Sequence, residues 1–381
     1  MVEDEKNMII VRYGEIFLKS EFVRKKFVEK LVSDIESKLK RSRIKNKIYK
    51  QRHRIFIKLY SKDDLGLGLD VLKRTFGIKS VSPAIETSSD LQSLKEKTIE
   101  LADKILSEND TFAIRVTREN YESYTSKELE EILGREVLKN VKCKGVNLTK
   151  PKKTIFVEIR GDKAYIFTKK IRCYGGLPYG SQGKVLCLLS GGIDSAVATF
   201  LAMKRGCEPI VLTFAKNEND AKIVKKIVEK LQEYSPSEIL AYKAEISKAL
   251  KEIKEKAGKY TCIICKRLML RVAAKLCEDL KIKAIVTGDN LGQVASQTLE
   301  NLSSIDAVTE KLVLRPLIFY DKEEIISIAR DIGSYELGAA GSCEFVPRKP
   351  ATAARIEKII EIENSICIEK IAEEMKIERL K

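Results

Sequence analysis

A turn rich in serine and glycine, Ser190-Gly191-Gly192-Ile193-Asp194-Ser195, has the residue types of a phosphate-binding loop. It follows five apolar residues, 185–189, and precedes a run with one apolar face that stops at Gly206. These patterns predict a buried parallel strand followed by a helix. Paired glycines let the backbone approach a ligand closely, and free N–H groups at a helix start attract an anion. The turn therefore predicts a phosphate cradle, in which Asp194 is the candidate organiser of phosphates or Mg²⁺.

The residues at the end of the turn indicate which kind of phosphate-binding loop it is. The P-loop of kinases and GTPases ends in Gly-Lys-Ser/Thr, and no lysine follows the glycines of this turn, so it is not a P-loop. The pattern S-G-G-x-D-S resembles instead the pyrophosphate loop of the ATP pyrophosphatases, which cleave ATP between the α and β phosphates. The alternative is an ordinary glycine-rich connection between a strand and a helix.

Cysteines form the second group of residues with chemical potential. Cys262 and Cys265 are spaced to share one face at the start of a predicted helix, where the helix dipole is expected to lower thiol pKa values. Such a pair fits a redox couple, half a zinc site or part of an iron–sulfur site. A Cys₄ zinc site would need a second pair, and the single histidine, His53, lies far away in the chain. Cys343 is the natural third thiol, and three thiolates can hold a 4Fe–4S cluster with one iron open.

The elements that position these residues alternate between strand and helix from residue 185 onward. Strands are predicted at 185–189, 208–214, 238–242, 284–288 and 311–314, which is typical of a doubly wound parallel sheet. Ligands of such sheets bind at the carboxyl ends of the strands. We therefore expect Thr213, Phe214 and the segment 287–289 to share one rim with the turn at 190–195.

The preceding half of the chain has a different, α+β pattern. A strand at 8–13, a helix at 21–40 and an antiparallel pair at 48–50 and 54–59 predict a ferredoxin-like domain over residues 1–68. Helices at 70–76, 91–107 and 126–140 and strands at 81–85, 112–118, 154–159 and 164–167 predict a second domain over residues 69–170. Residues 171–182 are the predicted linker, and residues 183–381 the predicted nucleotide-binding domain.

Charge and composition limit the partners. Of the net charge of +16 over 381 residues, +13 falls in residues 1–180 and +3 in residues 181–381. A basic half beside an ATP site predicts a polyanionic substrate, most simply a nucleic acid, with a merely solvated lysine-rich surface as the alternative. No apolar run reaches the roughly 18 residues that a membrane span needs. The acidic start lacks a signal peptide's apolar region, so we expect a cytoplasmic protein whose nine cysteines are thiols rather than disulfides.

Taken together, the motifs resemble those of the tRNA 4-thiouridine synthetase (tRNA-uracil 4-sulfurtransferase) family over nearly the whole length. Tyr13-Gly14-Glu15 with Lys19 resembles its ferredoxin-like domain, and the region 115–167 resembles its RNA-binding THUMP domain. The catalytic PP-loop domain is matched by Gly176-Leu177-Pro178-Tyr179-Gly180, by the turn at 190–195, by the specific segment Thr287-Gly288-Asp289-Asn290-Leu291-Gly292-Gln293-Val294-Ala295-Ser296-Gln297-Thr298, by Arg315-Pro316-Leu317 and by residues 321–326.

The resemblance implies an activity and its participants. Beyond Ser190, Gly191, Gly192, Asp194 and Ser195, it implies ATP contacts at Leu188, Leu189, Thr213, Phe214, Lys266, Gly288 and Gln297. The implied reaction is ATP-dependent thiolation of a tRNA uridine, at position eight, to 4-thiouridine, with Mg²⁺ and a link to thiamine biosynthesis. Uracil O4 is adenylated, and sulfur from a 4Fe–4S cluster on Cys262, Cys265 and Cys343, or from a persulfide on Cys343, displaces AMP. The implied partners are tRNA, a sulfur donor (sulfide or a persulfide carrier) and a second copy in a homodimer.

Two departures and two alternatives accompany the resemblance. Residues 344–381 are too few for the rhodanese-like domain of many bacterial relatives, and those relatives generally lack the Cys262/Cys265 pair. The pattern is similar to archaeal members without rhodanese and to iron–sulfur tRNA thiolases, so the persulfide scheme does not carry over whole. The alternatives are a different ATP-pyrophosphatase chemistry, such as tRNA 2-thiolation, and a non-catalytic RNA-binding protein.

Overall fold

Two units make up the chain, residues 1–176 and residues 177–381. The computed structural model describes residues 7–51, 53–338 and 343–380. The acidic start (residues 1–6) and the pair Gly341-Ser342 before Cys343 lie outside the described residues. No helix within the described ranges is long and apolar enough to cross a membrane.

The first unit is built on one mixed sheet flanked by helices. Its helices are α1 (Glu21–Arg41), α2 (Leu65–Lys73), α3 (Leu91–Ile105) and α4 (Ser126–Asn140). Its strands are β1 (Met8–Tyr13), β2 (Asn46–Gln51), β3 (Arg54–Leu59), β4 (Ile78–Ser88), β5 (Thr111–Glu119), β6 (Gly145–Val146), β7 (Lys153–Arg160), β8 (Lys163–Phe167) and β9 (Ile171–Arg172). The strand order is β2-β3-β1-β4-β8-β7-β5-β6, and β9 pairs with β4.

The long strand β4 joins the two predicted domains of this unit. Its first half pairs antiparallel with β1, where Val81 faces Val11, and its second half pairs with β8, where Ile85 faces Ile166. The ferredoxin-like and THUMP parts therefore share one hydrogen-bonded sheet. From the predicted linker, residues 171–172 form β9 on β4.

Most first-unit elements lie where the sequence pattern predicts them, with α2 as an exception. The helix predicted at 70–76 begins instead at Leu65 and ends at Lys73. Gly66 and Gly68 lower the helix propensity of its first turn. Burial of Leu65 and Leu72 in the core overrides that propensity, because both side chains are at most 4 % exposed.

Apart from one antiparallel edge strand, the second unit is a parallel sheet with helices in its crossovers, which confirms the predicted doubly wound fold. Its helices are α5 (Ile193–Lys204), α6 (Glu218–Gln232), α7 (Ser247–Ala257), α8 (Thr261–Asp279), α9 (Leu299–Asp306), α10 (Lys322–Asp331), α11 (Ile356–Ile366) and α12 (Ile368–Glu374). Its strands are β10 (Gly183–Leu188), β11 (Cys207–Ala215), β12 (Ala241–Glu245), β13 (Ala284–Val286), β14 (Leu312–Leu314) and β15 (Ile377–Arg379), ordered β14-β13-β10-β11-β12-β15.

Two features of this sheet differ from the sequence pattern. The strand predicted at 238–242 lies instead at Ala241–Glu245, because its register is set by pairing with β11, from Val211↔Ala241 to Ala215↔Glu245. The antiparallel edge strand β15 is three residues long and was not predicted. Such a short segment carries no recognisable alternation of apolar and polar residues.

Candidate active site

The turn between β10 and α5 is braced by its own serines. The Ser190 amide donates to Ser195 Oγ at 3.0 Å, and the Gly192 amide donates to Ser190 Oγ at 3.2 Å. Ser195 Oγ also lies 3.0 Å from the Gly192 carbonyl, to which it can donate. Gly192, the N-cap of α5, offers no side chain to the N–H groups of the first helical turn. The turn is thus a rigid loop with helix N–H groups available for an anion.

Gly288, two residues after β13, must be a glycine because of this turn. A Cβ there would lie 2.8 Å from Ser195 N and 2.9 Å from the Asp194 carbonyl carbon, both backbone atoms of α5. The carboxyl end of β13 and the start of α5 therefore touch backbone to backbone. Because of this contact, the residues after β13 and the start of α5, both predicted to contact ATP, form one continuous surface.

A cavity of about 520 Å³ opens at the carboxyl ends of the central strands, as predicted. Predicted site residues that line it are Leu188, Leu189, Ser190, Gly192, Asp194, Ser195, Phe214, Lys266, Gly288, Gln297 and Cys343. Thr213, Gly191, Cys262 and Cys265 are outside this lining, and the Thr213 side chain is buried at 2 % exposure. Leu212, Met269, Leu270, Val294 and Ile305 add an apolar wall. A polar turn beside an apolar wall suits a nucleotide, with phosphates at one end and a base at the other.

Asp289 is a site residue that the sequence analysis did not single out. Its Oδ1 accepts from Lys266 Nζ at 2.6 Å and from Gln297 Nε2 at 3.2 Å. Its Oδ2 accepts from Thr287 Oγ1 at 2.8 Å and from Arg315 Nε at 3.4 Å. Burial raises the pKa of Asp289, but Lys266, with the Thr287 hydrogen bond and Arg315, outweighs burial and lowers it to about 2. The signal available in the sequence was its place in the segment 287–298.

Asp194 is paired across the site with a lysine that the sequence analysis gave no role. Lys322 Nζ lies 2.7 Å from Asp194 Oδ1, and Gln293 Nε2 donates to Asp194 Oδ2 at 2.9 Å. Lys322 is the first residue of α10, directly after the N-cap Asp321. Three segments distant in the chain therefore meet at the Asp194 carboxylate.

The predicted helix start at the cysteine pair is confirmed, but the predicted lowering of the thiol pKa values is wrong. Helix α8 begins at Thr261, so Cys262 and Cys265 lie in its first turns. Burial raises the pKa of Cys262, and burial raises that of Cys265 to about 12. A charge on Cys343 adds to both rises, and the nearby Lys266 does not offset them. Loss of hydration for the thiolate outweighs the favourable helix dipole.

Cys343 is exposed and lines the cavity, and the residues after it anchor its segment. Lys254 Nζ donates to the Glu344 carbonyl at 3.1 Å and lies 5.3 Å from the centre of the Phe345 ring. That ring packs against the core of the second unit. Among the described residues, no three His, Cys, Asp or Glu side chains form a group arranged to hold a metal ion. The iron–sulfur cluster therefore stays a prediction.

In the first unit, part of the positive charge has a structural role. Glu158 on β7 is 3 % exposed and pairs with Arg12 at 3.1 Å, with Arg54 at 2.9 Å and with Arg160 at 2.9 Å. Burial raises the pKa of Glu158, but the charges of Arg54, Arg12 and Arg160 outweigh it and hold the pKa below its ordinary value. This cluster ties β1 and β3 of the ferredoxin-like part to β7 of the THUMP part. These arginines are therefore more than a solvated basic face.

Fold and site together define an ATP-pyrophosphatase-type domain that follows an α+β unit with a ferredoxin-like and a THUMP part. Three family models match in chain order, "ThiI ferredoxin-like domain" over residues 8–82, "THUMP domain" over 88–169 and "Thiamine biosynthesis protein (ThiI)" over 180–368. The chain belongs to the ThiI family. The resemblance inferred from the sequence is thereby confirmed.

The chain is also similar to several individual proteins over nearly its full length. It is 40 % identical over 370 residues to a probable tRNA sulfurtransferase of Methanocaldococcus jannaschii, covering 94 % of this chain and 97 % of that protein. A probable tRNA sulfurtransferase of Thermococcus kodakarensis is 38 % identical, with 93 % and 96 % covered. A 4-thiouridine synthetase solved as an RNA complex with bound ATP superposes with a TM-score of 0.84 at 34 % identity, covering 99 % of this chain and 100 % of that one. PH1313 of Pyrococcus horikoshii gives 0.70 at 28 %, with 86 % and 99 % covered.

Proposed function

We propose that this chain is a tRNA sulfurtransferase that uses ATP to convert uridine, at position eight, to 4-thiouridine. The observation that carries the proposal is the convergence of the serine–glycine turn, Lys266 and Cys343 on one cavity. The relatives named as tRNA sulfurtransferases and the neighbour solved with RNA and ATP support it. We also propose a cytoplasmic location, where tRNA is modified.

ATP binds, in this proposal, with its phosphates at residues 190–195 and its base against the apolar wall. Asp194 lines the cavity, and carboxylate and phosphate oxygens are ligands that Mg²⁺ prefers. Mg²⁺ would neutralise charge on the phosphates when it is bound there. Mg²⁺ would compete there with Lys322, whose Nζ lies 2.7 Å from Asp194 Oδ1.

The reaction has two bond exchanges. Uracil O4 attacks the α-phosphorus, the bond from that phosphorus to the oxygen bridging to the β-phosphorus breaks, and pyrophosphate leaves. The N–H groups at the start of α5 stabilise the charge that develops on the phosphates. Hydrosulfide held near Cys343 then attacks C4, the C4–O bond breaks with AMP as leaving group, and the sulfur loses its proton. In the persulfide scheme the outer sulfur of Cys343 attacks C4, and a second thiol must then cleave the S–S bond and end as a disulfide with Cys343. Among the described thiols, Cys343 is the one that lines the cavity, which supports it as the residue that delivers sulfur.

A 4Fe–4S cluster on Cys262, Cys265 and Cys343 is the second part of the proposal. The donor set is chemically suited to it, because three thiolates can hold such a cluster. The cluster would supply an open iron that holds inorganic sulfur. The described side chains are not pre-arranged as ligands, and thiols with raised pKa values must lose their protons when a metal binds.

Metal analysis of anaerobically purified protein separates the two sulfur schemes. With a shared cluster, Cys262→Ala, Cys265→Ala and Cys343→Ala each lose iron, acid-labile sulfide and thiolation together. With a persulfide on Cys343, Cys343→Ala loses thiolation without any change in metal content. Stoichiometric zinc without iron in the wild type would refute the cluster and leave thiolation standing.

The first unit is proposed to bind the tRNA, with residues 1–68 as ferredoxin-like domain and 69–170 as THUMP domain. Its charge of +13 would release counterions from the phosphate backbone, so tRNA affinity falls as salt rises. A sulfur donor, sulfide or a persulfide carrier, and a second copy of the chain complete the proposed partners. Light scattering that gives 43.1 kDa instead of twice that mass would refute the homodimer.

Product analysis tests the function directly. The protein is incubated with ATP, Mg²⁺ and sulfide, with or without unmodified tRNA. Pyrophosphate should be released only in the reaction that contains tRNA. Mass spectrometry and chromatography of the digested tRNA should give 4-thiouridine. Formation of 2-thiouridine would favour a different thiolase, and the absence of tRNA-dependent pyrophosphate would favour a non-catalytic RNA-binding protein.

A further inference from the structure

We propose that Asp289 is a positioning residue, which holds the Lys266 ammonium in place on the wall of the ATP cavity for the chemical step. The inference rests on the proposed function, because Lys266 is taken as a contact of ATP. It assigns a role in the reaction to a buried carboxylate that itself would repel a nucleotide's phosphates. The geometry around that carboxylate carries the argument.

Both oxygens of Asp289 are engaged, and they are engaged by different elements. Oδ1 receives Lys266 from α8 at 2.6 Å, whereas Oδ2 receives Thr287 at 2.8 Å and Arg315 at 3.4 Å. Arg315 also forks onto Asp306 at the end of α9, with contacts of 2.8 and 2.5 Å. The Asp289 carboxylate is therefore held from the residues that follow β13 and β14, independently of Lys266, and Arg315 is held in turn by α9. Two donors that line the cavity, Lys266 at 2.6 Å and Gln297 at 3.2 Å, share Oδ1, and Lys266 is the charged one of the two.

Lysine needs such a partner more than arginine does. Its ammonium is a point charge on a flexible four-carbon stem, so its direction is set by what accepts its hydrogen bonds. Both residues line the cavity, and the Lys266 side chain is 27 % exposed whereas that of Asp289 is 11 % exposed. A cation held by a fixed carboxylate is aimed before ATP arrives, which avoids reorganisation during the reaction.

The same contacts separate this role from that of a magnesium ligand. Two cations, Lys266 and Arg315, already share the Asp289 carboxylate, and a divalent ion would have to displace one of them. A negative charge in an anion-binding cavity also weakens ground-state binding of ATP. The two roles therefore predict opposite effects of removing that charge on the KM for ATP.

The test is Asp289→Asn in the full-length protein, assayed as tRNA-dependent pyrophosphate release over a range of ATP concentrations. We expect kcat to fall about 10- to 100-fold, less than the ~10²–10³-fold that the loss of a direct electrostatic donor costs, because Asp289 acts through Lys266. The KM for ATP should stay the same or fall, because repulsion is relieved. Lys266→Met should lower kcat at least as much, and the double variant should be no slower than Lys266→Met alone. Glu238→Gln, which breaks the exposed pair with Arg379, is the matched control and should keep the wild-type rate.

Each contrary result has a distinct meaning. A rise of tenfold or more in KM would overturn the proposal in favour of a metal or substrate ligand, and additive losses would show that Asp289 acts without Lys266. A wild-type rate in Asp289→Asn would overturn it outright while leaving the proposed function intact. A wild-type enzyme without tRNA-dependent pyrophosphate release would overturn the proposed function and this inference with it. If Asp289→Asn does not fold, Thr287→Val is tested in its place. It should also lower kcat, but by a smaller factor.

Discussion

Replacement of Gly288 by alanine tests whether the close approach of β13 and α5 shapes the ATP site. The added Cβ would lie 2.8 Å from Ser195 N, whereas ordinary contacts begin at 3.4 Å, so about 0.6 Å of separation must be gained. The atoms in the way belong to backbone and cannot rotate aside. The start of α5, and with it the turn at 190–195, must therefore move.

Two magnitudes follow from that displacement. Overpacking of a well-packed site costs about 1–3 kcal/mol of unfolding free energy. A misplacement of ~1 Å in an active site can cost ~10²-fold in rate, so the smaller shift here should cost about tenfold or more. Gly288→Ala is expected to lower both the thermal unfolding midpoint and the tRNA-dependent release of pyrophosphate.

The assay compares Gly288→Ala with Gly134→Ala, a chemically identical change within helix α4. A Cβ at Gly134 meets nothing within 4 Å, and alanine in a helix interior is about 0.5–1 kcal/mol more favourable than glycine. The control should therefore unfold at a slightly higher temperature and keep the wild-type rate. If Gly288→Ala matches the control in both measurements, the reasoning about the backbone contact is refuted.

Three further predictions concern the site and the first unit. Asp194→Ala should retain tRNA affinity but lose thiolation by on the order of 10²-fold or more, because in the proposed mechanism its charge organises the phosphates and the metal. A near wild-type rate would exclude this role. Phe345→Ala releases the ring that anchors the Cys343 segment, so 4-thiouridine formation should fall while pyrophosphate release persists, and a parallel fall of both would contradict the anchoring role. Glu158→Gln leaves three arginines without their shared carboxylate and should cost about 3–5 kcal/mol in urea unfolding at pH 7, where an unchanged midpoint would count against the cluster. The folded-state pKa of Glu158 is lowered, so its charge stabilises the fold above its unfolded pKa of about 4.3, and this stabilisation is lost as the pH falls below that value. The difference in unfolding free energy between wild type and Glu158→Gln should therefore shrink at low pH.

Local patterns in the sequence determined most elements of this protein and the turn at residues 190–195. The predicted helix over 126–140 agrees with α4, whose start is fixed by the capping box of Thr125 and Glu128. The apolar run before Ser190 and the glycine pair after it were enough to predict strand, turn and helix. These features depend on interactions between residues a few positions apart, which can be predicted directly from the sequence.

Contacts between distant segments were decided by the tertiary structure alone. Lys322 and Asp194 are 128 positions apart in the chain, and Lys266 and Asp289 are 23 positions apart. No local sequence pattern therefore predicts either ion pair. The pKa of Cys265 is raised because packing removes its thiol from water, whereas its helical position by itself predicted the opposite. Desolvation and long-range charge pairing depend on which surfaces come together, and that is settled only when the whole chain has folded.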